Sequence, residues 1–394
     1  MPAIDGAPQV GDRGRPARRF EQPQTPAGAA EGDPMKVLVM GGTMFNGLSL
    51  VRELARHGHA VTVLNRGKTE ALLPRGVERL FADRTDPEGM RATLGRLEFD
   101  AIFDVSAYRL EDVQLMTELF RGRTGHYVFI SSTVIYAASD LLPIDESAAV
   151  DRSERQNDYG LQKLACEDFL ARQHRESGFP ATIVAFSMVF GPNNILPDRE
   201  QRMFARLRAG RPILIPGDGT TIAQVGYVDD QARALRAVMG QPVSFGKRYN
   251  LSGGDFFSAE GYVDLCAEII GCKADKRFIP APHMDALFDG EIPLVVARPD
   301  TRVDTRSAVT ASHVANNRFM LSCLVQRIAP NIHRWNRNVV FGIDRLRREV
   351  GWEPEVTFPV AVEETYRWFV DSGRAEGRSF DFGWEDTLIE GLPK

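Results

Sequence analysis

The sequence predicts an α/β protein: a doubly wound parallel sheet followed by a smaller, irregular C-terminal lobe. Three observations carry this. Short apolar runs alternate with amphipathic segments from Met35 to about Phe190. The first run passes through a glycine-containing turn into a helical pattern, and after Phe190 Gly and Pro break the chain into short elements. Strands that are apolar throughout belong to a sheet covered on both faces.

Residues 1–34 are rich in Pro, Gly, Ala, Arg and Asp and show no apolar period, so they read as a disordered tail, or as sequence ahead of a natural start at Met35, outside the fold. Arg13, Arg15, Arg18 and Arg19 precede no apolar core of the kind a targeting signal needs. Lys36 to Met40 then forms a strand pattern, and Leu48 to His57 has helical spacing closed by Gly58. Ala60 to Leu64 is a second β-branched run, which completes a βαβ unit. Further strands are expected at Arg79 to Ala82, Ala101 to Val105, Tyr127 to Ser131 and Thr182 to Phe186.

The 48 basic residues against 53 acidic ones give a net charge of −5, without the cationic surplus that phosphate-backbone binding requires. Hydrophobic residues are 43% of the chain, yet no apolar stretch approaches the roughly 18–20 residues of a membrane span. The four cysteines and seven histidines fall into no CxxC or HExxH spacing, so no metal is expected and the cysteines read as buried apolar groups. Few cysteines and no recognisable signal peptide imply the cytoplasm.

The turn Gly41-Gly42-Thr43-Met44-Phe45-Asn46-Gly47 lies between strand and helix. Glycines there let the backbone approach a pyrophosphate, while the helix N-terminus offers N–H groups and a partial positive charge. This loop resembles the cofactor loop of the short-chain dehydrogenase/reductase superfamily, in its extended and atypical branches, the NAD(P)-dependent epimerase/dehydratase family. Its GGTxFxG form is similar to an atypical branch that includes chloroplast stem-loop-binding proteins and bacterial reductases. Met44 stands where the usual loop has its middle glycine. The resemblance implies a Rossmann-type NAD(P)-binding domain over 35–190 and a mainly substrate-binding lobe over 191–394, with some segments returning to the sheet.

The second strand ends at Asn65, where NAD-binding chains carry an acid for the ribose hydroxyls; Arg66 and Lys68 suit a 2′-phosphate instead. NADP is therefore expected, with NAD as the alternative. The resemblance further assigns Asp83, in the short motif Ala82-Asp83-Arg84, to the adenine amino group, Arg84 to cofactor binding, and Ser106 and Ala107 to the nicotinamide ribose. Tyr108, which follows them, is assigned to the substrate.

Tyr159 and Lys163 stand four apart at the start of a helical run, on one face. A phenol with a pKa near 10 needs a cation beside it to shuttle protons at neutral pH. Upstream, Tyr127 to Tyr136 reads as a strand ending in Ser131, Ser132 and Thr133. It resembles the family segment whose hydroxyl binds the reacting substrate oxygen, and Ser132 lies 27 residues before Tyr159, near the family's separation. The resemblance implies reversible hydride transfer on a secondary alcohol or ketone. Tyr159 would move the proton, Lys163 would hold the ribose and lower the phenol's pKa, and Ser132 would orient the substrate oxygen, with Thr133 the second candidate for that role.

Family landmarks continue thinly through Val189 to Pro192, Gly217 to Thr220 and Tyr227 to Asp230, as far as Val350 to Pro354. Nucleotide-sugar members usually carry arginines where this chain has Ala185 and Ala223, and an asparagine where it has Met188, a residue assigned to the substrate wall. Arginine's bidentate grip on an oxyanion has no substitute in alanine, so a less charged small-molecule substrate is expected. Ten arginines lie between Arg298 and Arg348, around an apparent insertion at about 308–338. They read as a solvated face or subunit contact, or as an anion-binding lid, with His333, Arg334 and Trp335 the first residues to inspect. Two other readings stay open: a nucleotide-sugar epimerase or dehydratase that oxidises its substrate transiently, and a non-enzymatic RNA-binding or regulatory protein. A homodimer is a family expectation.

Overall fold

In the computed structural model, residues 33–196, 199–294, 313–326, 333–377 and 380–392 are described. The first six strands are β1 (Lys36–Met40), β2 (Ala60–Asn65), β3 (Glu78–Phe81), β4 (Phe99–Asp104), β5 (Thr124–Ser132) and β6 (Ala181–Phe186). Short strands β7 (Val189–Phe190), β8 (Ile213–Pro216), β9 (Ile222–Ala223) and β10 (Gly226–Tyr227) follow, then β11 (Arg248–Leu251), β12 (Phe257–Ser258) and β13 (Lys276–Ile279). Seven of these strands form one sheet in the order β11-β6-β5-β4-β1-β2-β3, with every pair parallel. Strand order reverses between β1 and β4, and in such sheets the crevice at that switch point receives ligands. This is the Rossmann-type α/β architecture.

Alternation along the strands shows why both faces are covered. Val37, Val39, Val61, Val63 and Phe103 pack into one core with Leu50, Val51 and Leu54 of α1 (Phe45–Arg56). Leu38, Met40, Leu64 and Ile102 face the opposite way. They meet Met90 of α2 (Pro87–Leu94), Val113 and Met116 of α3 (Leu110–Phe120), and Cys166 and Leu170 of α4 (Asp158–Ser177). A strand residue exposed on neither face must be apolar at every position, which is the pattern these runs show. His126 on β5 is an instructive exception. Its Nδ1 accepts the Gly240 N–H at 3.0 Å, so Nε2 carries the proton and meets Thr182 Oγ1 on β6 at 2.8 Å. Burial lowers its pKa to about 3, and the ring stays neutral.

Beyond β7, the chain forms α5 (Glu200–Arg208), α6 (Val228–Val238), α7 (Ala259–Ile270) and α8 (Ala281–Asp289), and β11 rejoins the sheet edge beside β6. From Pro34 on, the chain clusters as one compact unit. The last helix, Gly383–Glu390, is joined to α5 by ions: Arg202 and Arg206 both reach Glu385, at 2.8 and 3.0 Å, with all three side chains buried.

Of the expected arginine-rich stretch, Arg298, Arg302, Arg306 and Arg327 lie outside the described residues. Of those described, Arg334 pairs with Asp285 and Asp289, Arg337 with Asp140, Arg318 with the Phe288 carbonyl, and Arg345 with the Arg248 carbonyl. Trp335 donates from Nε1 to Asp285 at 2.8 Å, and its ring lies so close to Gly217 that a Cβ there would come within 2.6 Å of it. Among the described residues, no helix is long and apolar enough to cross a membrane.

Glu200, in the first turn of α5, is fully buried and neither carboxylate oxygen has a hydrogen-bond partner. Burial pushes it up to about 7 from an ordinary 4.5, with its own backbone N–H, Asn194 and Arg199 acting against the shift. Folding therefore favours its neutral form, so its stabilising contribution is complete below about 4.5 and lost as pH rises through about 7. Glu200→Gln should gain stability relative to the parent chain by roughly 2 kcal/mol between about pH 5 and pH 8, read by denaturant unfolding at each pH. A difference that does not change with pH would contradict this account.

Candidate functional site

The carboxyl ends of β1, β2, β4 and β5 lie along one edge of the parallel sheet, where the strand order reverses. At the end of β1, Gly41 adopts φ +91°, and a Cβ there would approach Ser106 Cβ to 2.9 Å. A Cβ on Gly47 would lie 2.3 Å from the Gly41 carbonyl oxygen, so the turn closes only without a side chain. Gly42 is packed against Val39, Val51 and Val63. Thr43 and Phe45 are buried, Phe45 in a left-handed conformation (φ 39°), while Met44 is 45% exposed and turns away from the core. Met44 is the N-cap of α1, and no side chain caps the helix, so its first N–H groups are free of side-chain acceptors. Buried Asn46 Oδ1 has no partner either. A narrow glycine cradle facing an uncapped helix N-terminus is the donor arrangement a dinucleotide pyrophosphate requires, so these residues fit that group.

At the end of β2, Asn65 Oδ1 accepts from the Gly67 N–H at 2.8 Å and from Arg79 Nη2 at 3.3 Å. Asn65 Nδ2 and Arg79 Nε are buried without partners, while Arg66 and Lys68 are exposed beside them. Asp83 is half-buried, and its Oδ1 accepts from the Thr85 N–H and hydroxyl at 3.0 and 2.7 Å. Arg84 forms a two-pronged pair with Asp104, the last residue of β4, both contacts at 2.8 Å. Ser106 is half-buried, Ala107 is buried and Tyr108 is 48% exposed.

Local sequence places the tyrosine and lysine. Asn157 caps α4 by accepting the Gly160 N–H at 2.7 Å, and the helix ends at Gly178 with φ 69°. Lys163 is 2% exposed. Its Nζ donates to the Ala107 and Ile130 carbonyls, each at 2.7 Å, leaving the third N–H of the ammonium for another acceptor. It lies 5.6 Å from the Tyr159 ring centre, 5.0 Å from that of Tyr108 and 4.7 Å from that of Phe129. Burial draws its pKa down to about 8; Cys166, Asp104 and Glu167 oppose this and Arg84 adds to it.

Ser132 ends β5, and its hydroxyl accepts the Val134 N–H at 3.3 Å; Thr133, next in the chain, is buried. Contrary to the expected lowering by Lys163, the Tyr159 phenol is held above the ordinary tyrosine range, chiefly by burial and then by neighbouring Tyr108, with Ser132 and Arg199 acting the other way. The two tyrosine rings are 5.9 Å apart at 48°. Tyr159, Lys163, Ser132 and Tyr108 thus meet at one end of the sheet, next to the glycine turn. Met188, just after β6, is buried in the main apolar core.

Asp104, Asp112, Arg79 and Arg199 were missed by sequence reasoning. Asp104 carried a readable signal, because an acid closing an otherwise buried strand needs a cation, and Arg84 follows the preceding strand. Arg79 reads only as a strand residue until the β2–β3 pairing sets it beside Asn65.

Comparison with known proteins agrees with the architecture. The profile of the NAD dependent epimerase/dehydratase family matches residues 37–252. The chain is 32% identical over 267 residues to chloroplast stem-loop binding protein of 41 kDa b from Arabidopsis thaliana, covering 64% of this chain and 68% of that one. It is 26% identical to 2'-dehydrokanamycin reductase of Streptomyces kanamyceticus, covering 53% of this chain and only 59% of the reductase. Among solved structures, UDP-glucose 4-epimerase of Thermotoga maritima with UDP-glucose superposes with a TM-score of 0.64 at 18% identity, over 85% of this chain and 99% of the epimerase. The dTDP-glucose 4,6-dehydratase of Bacillus anthracis in complex with NAD gives 0.64 at 14% identity, over 86% and 98%.

Gly47→Ala should destabilise the fold by about 1–3 kcal/mol, since backbone rather than a flexible side chain must give way. Thermal unfolding of the variant checks it, and an unchanged midpoint would contradict the close approach. The profile match over more than half of the sequence, on a sheet of the same architecture, establishes that the chain belongs to the NAD dependent epimerase/dehydratase family, whose members include reductases, epimerases and dehydratases.

Proposed function

We propose that the protein is an NADP(H)-dependent oxidoreductase that transfers hydride reversibly on a secondary alcohol or ketone. The observation that supports this reading best is the meeting of Tyr159, Ser132 and Lys163 at the carboxyl edge of the sheet, with Lys163 tied to the loop after β4 and to the end of β5. A nicotinamide bound in the crevice supplies the hydride acceptor or donor. Ser132 holds the reacting oxygen of the substrate, and Tyr159 exchanges a proton with it. The third N–H of Lys163 holds a ribose hydroxyl. The Tyr159 phenol carries its proton at neutral pH, as a tyrosine ordinarily does, and can donate it to a carbonyl oxygen in the direction of reduction. Thr133 and Tyr108 frame the substrate.

The substrate in this reading is a small alcohol or ketone of low charge. Ala185, Met188 and Ala223, at the positions usual for a nucleotide-sugar member's polar groups, are buried and apolar. NADP rather than NAD is favoured by Arg66 and Lys68 and by Arg79, whose unpartnered Nε sits with the Asn65 amide at the adenosine end. A second reading, RNA binding, draws on the printed name of the Arabidopsis relative. The net charge of −5 speaks against it.

Tyr159→Phe should lower carbonyl reduction by roughly a hundredfold or more and leave dinucleotide affinity almost unchanged, since only the proton path is lost. Nicotinamide absorbance across a panel of ketones reads the first quantity and titration calorimetry the second; full activity in the variant would remove Tyr159 from the mechanism. Arg66→Ala and Arg79→Ala should each weaken NADPH by roughly tenfold while NADH binding changes little, as expected for losing a charge-assisted bond to a phosphate. Equal losses for the two dinucleotides would cancel the NADP preference.

A further inference from the structure

The loop from Val105 to Arg109 is held by a buried set of charges that belongs to neither the substrate nor the proton path. Asp104, fully buried, accepts on one oxygen from Arg84 Nη1 at 2.8 Å and from the Ser106 N–H at 3.3 Å. Its other oxygen takes Arg84 Nη2 at 2.8 Å and the Tyr127 hydroxyl at 2.7 Å. Arg84 Nη1 also donates to Ser106 Oγ at 2.8 Å, and Arg84 Nε sits 3.1 Å from Asp112. Asp112 in turn accepts the Tyr108 and Arg109 N–H groups at 2.9 and 3.0 Å, and Lys163 holds the Ala107 carbonyl. Arg84 is the one cation of this set that touches both carboxylates and the loop.

The same loop is in close contact with the glycine turn, because Ser106 Cβ is the atom that any side chain on Gly41 would strike. A guanidinium whose two Nη groups are hydrogen-bonded within the protein, and whose buried Nε has Asp112 as its ionic neighbour without a hydrogen bond to it, is poorly placed to serve as a ligand for adenine or phosphate. It is well placed to set the distance between two loops. We propose that Arg84 is a positioning residue: through Asp104, Asp112 and Ser106 it fixes Val105–Arg109 against the glycine turn and so governs the nicotinamide half of the bound dinucleotide. This rests on reading the crevice as a dinucleotide site.

Arg84→Lys keeps one charge but cannot span both carboxylates and Ser106. Calorimetric titration of the full chain with NADPH and, separately, with 2′-phosphoadenosine 5′-diphosphate, which is NADPH without its nicotinamide riboside, tests the assignment. The variant should bind NADPH roughly ten- to a hundredfold more weakly, the scale of loss when a supporting contact is removed, while its affinity for the fragment stays within about twofold. Equal losses for both ligands would make Arg84 an adenosine-side contact and overturn the proposal, as would no loss for either. A parent chain that binds neither ligand would overturn the dinucleotide reading and the proposal with it. Should Arg84→Lys not fold, Asp112→Asn leaves the Arg84–Asp104 pair in place and frees only the far end of the loop. The same split between NADPH and the fragment is expected there, and its absence overturns the proposal.

Discussion

A buried ammonium held by two backbone carbonyls organises the functional end of this molecule. Lys163 reaches from α4 to Ile130, near the end of β5, and to Ala107, in the loop after β4, so three elements share one donor. A charge in so dry a place is tolerated only where its hydrogen bonds are met. Those bonds in turn fix the heights of Ser132 and Tyr108 relative to Tyr159. Two chain reversals and a helix must therefore be in register before any hydroxyl at this end faces another.

That arrangement depends on the sheet being parallel. Parallel strands bring all their carboxyl ends to one side, and the reversal of order between β1 and β4 leaves a crevice there. The glycine turn, Asn65, Asp104 and Ser132 close four of these strands. Within the irregular second half, Trp335 bonds Asp285 and packs against the Gly217 turn.

Much of this could be read from the residues. The apolar runs located the first six strands to within a few positions, because a strand covered on both faces admits no polar period to blur it. The helix after the glycine turn begins at Phe45 rather than Leu48, since the turn feeds into it directly. The site residues near Tyr159 lie close in sequence to strand ends, and strand ends are legible. What was not legible depends on pairing between distant segments. Arg84 looks like part of a cofactor motif until Asp104 and Asp112 are seen around it. The unpaired carboxyl of Glu200 is invisible in a helix whose neighbours are arginines, because nothing local says which side faces inward.

The ionic tie between α5 and the helix Gly383–Glu390 bears on how the protein is made. Arg202 and Arg206 are almost without solvent, and Glu385 lies some 180 positions downstream of them. Until that acid emerges from the ribosome, both guanidinium groups lack their counter-ion and must remain hydrated. The surroundings of α5 are therefore completed late in synthesis, when the N-terminal strands of the sheet are already available.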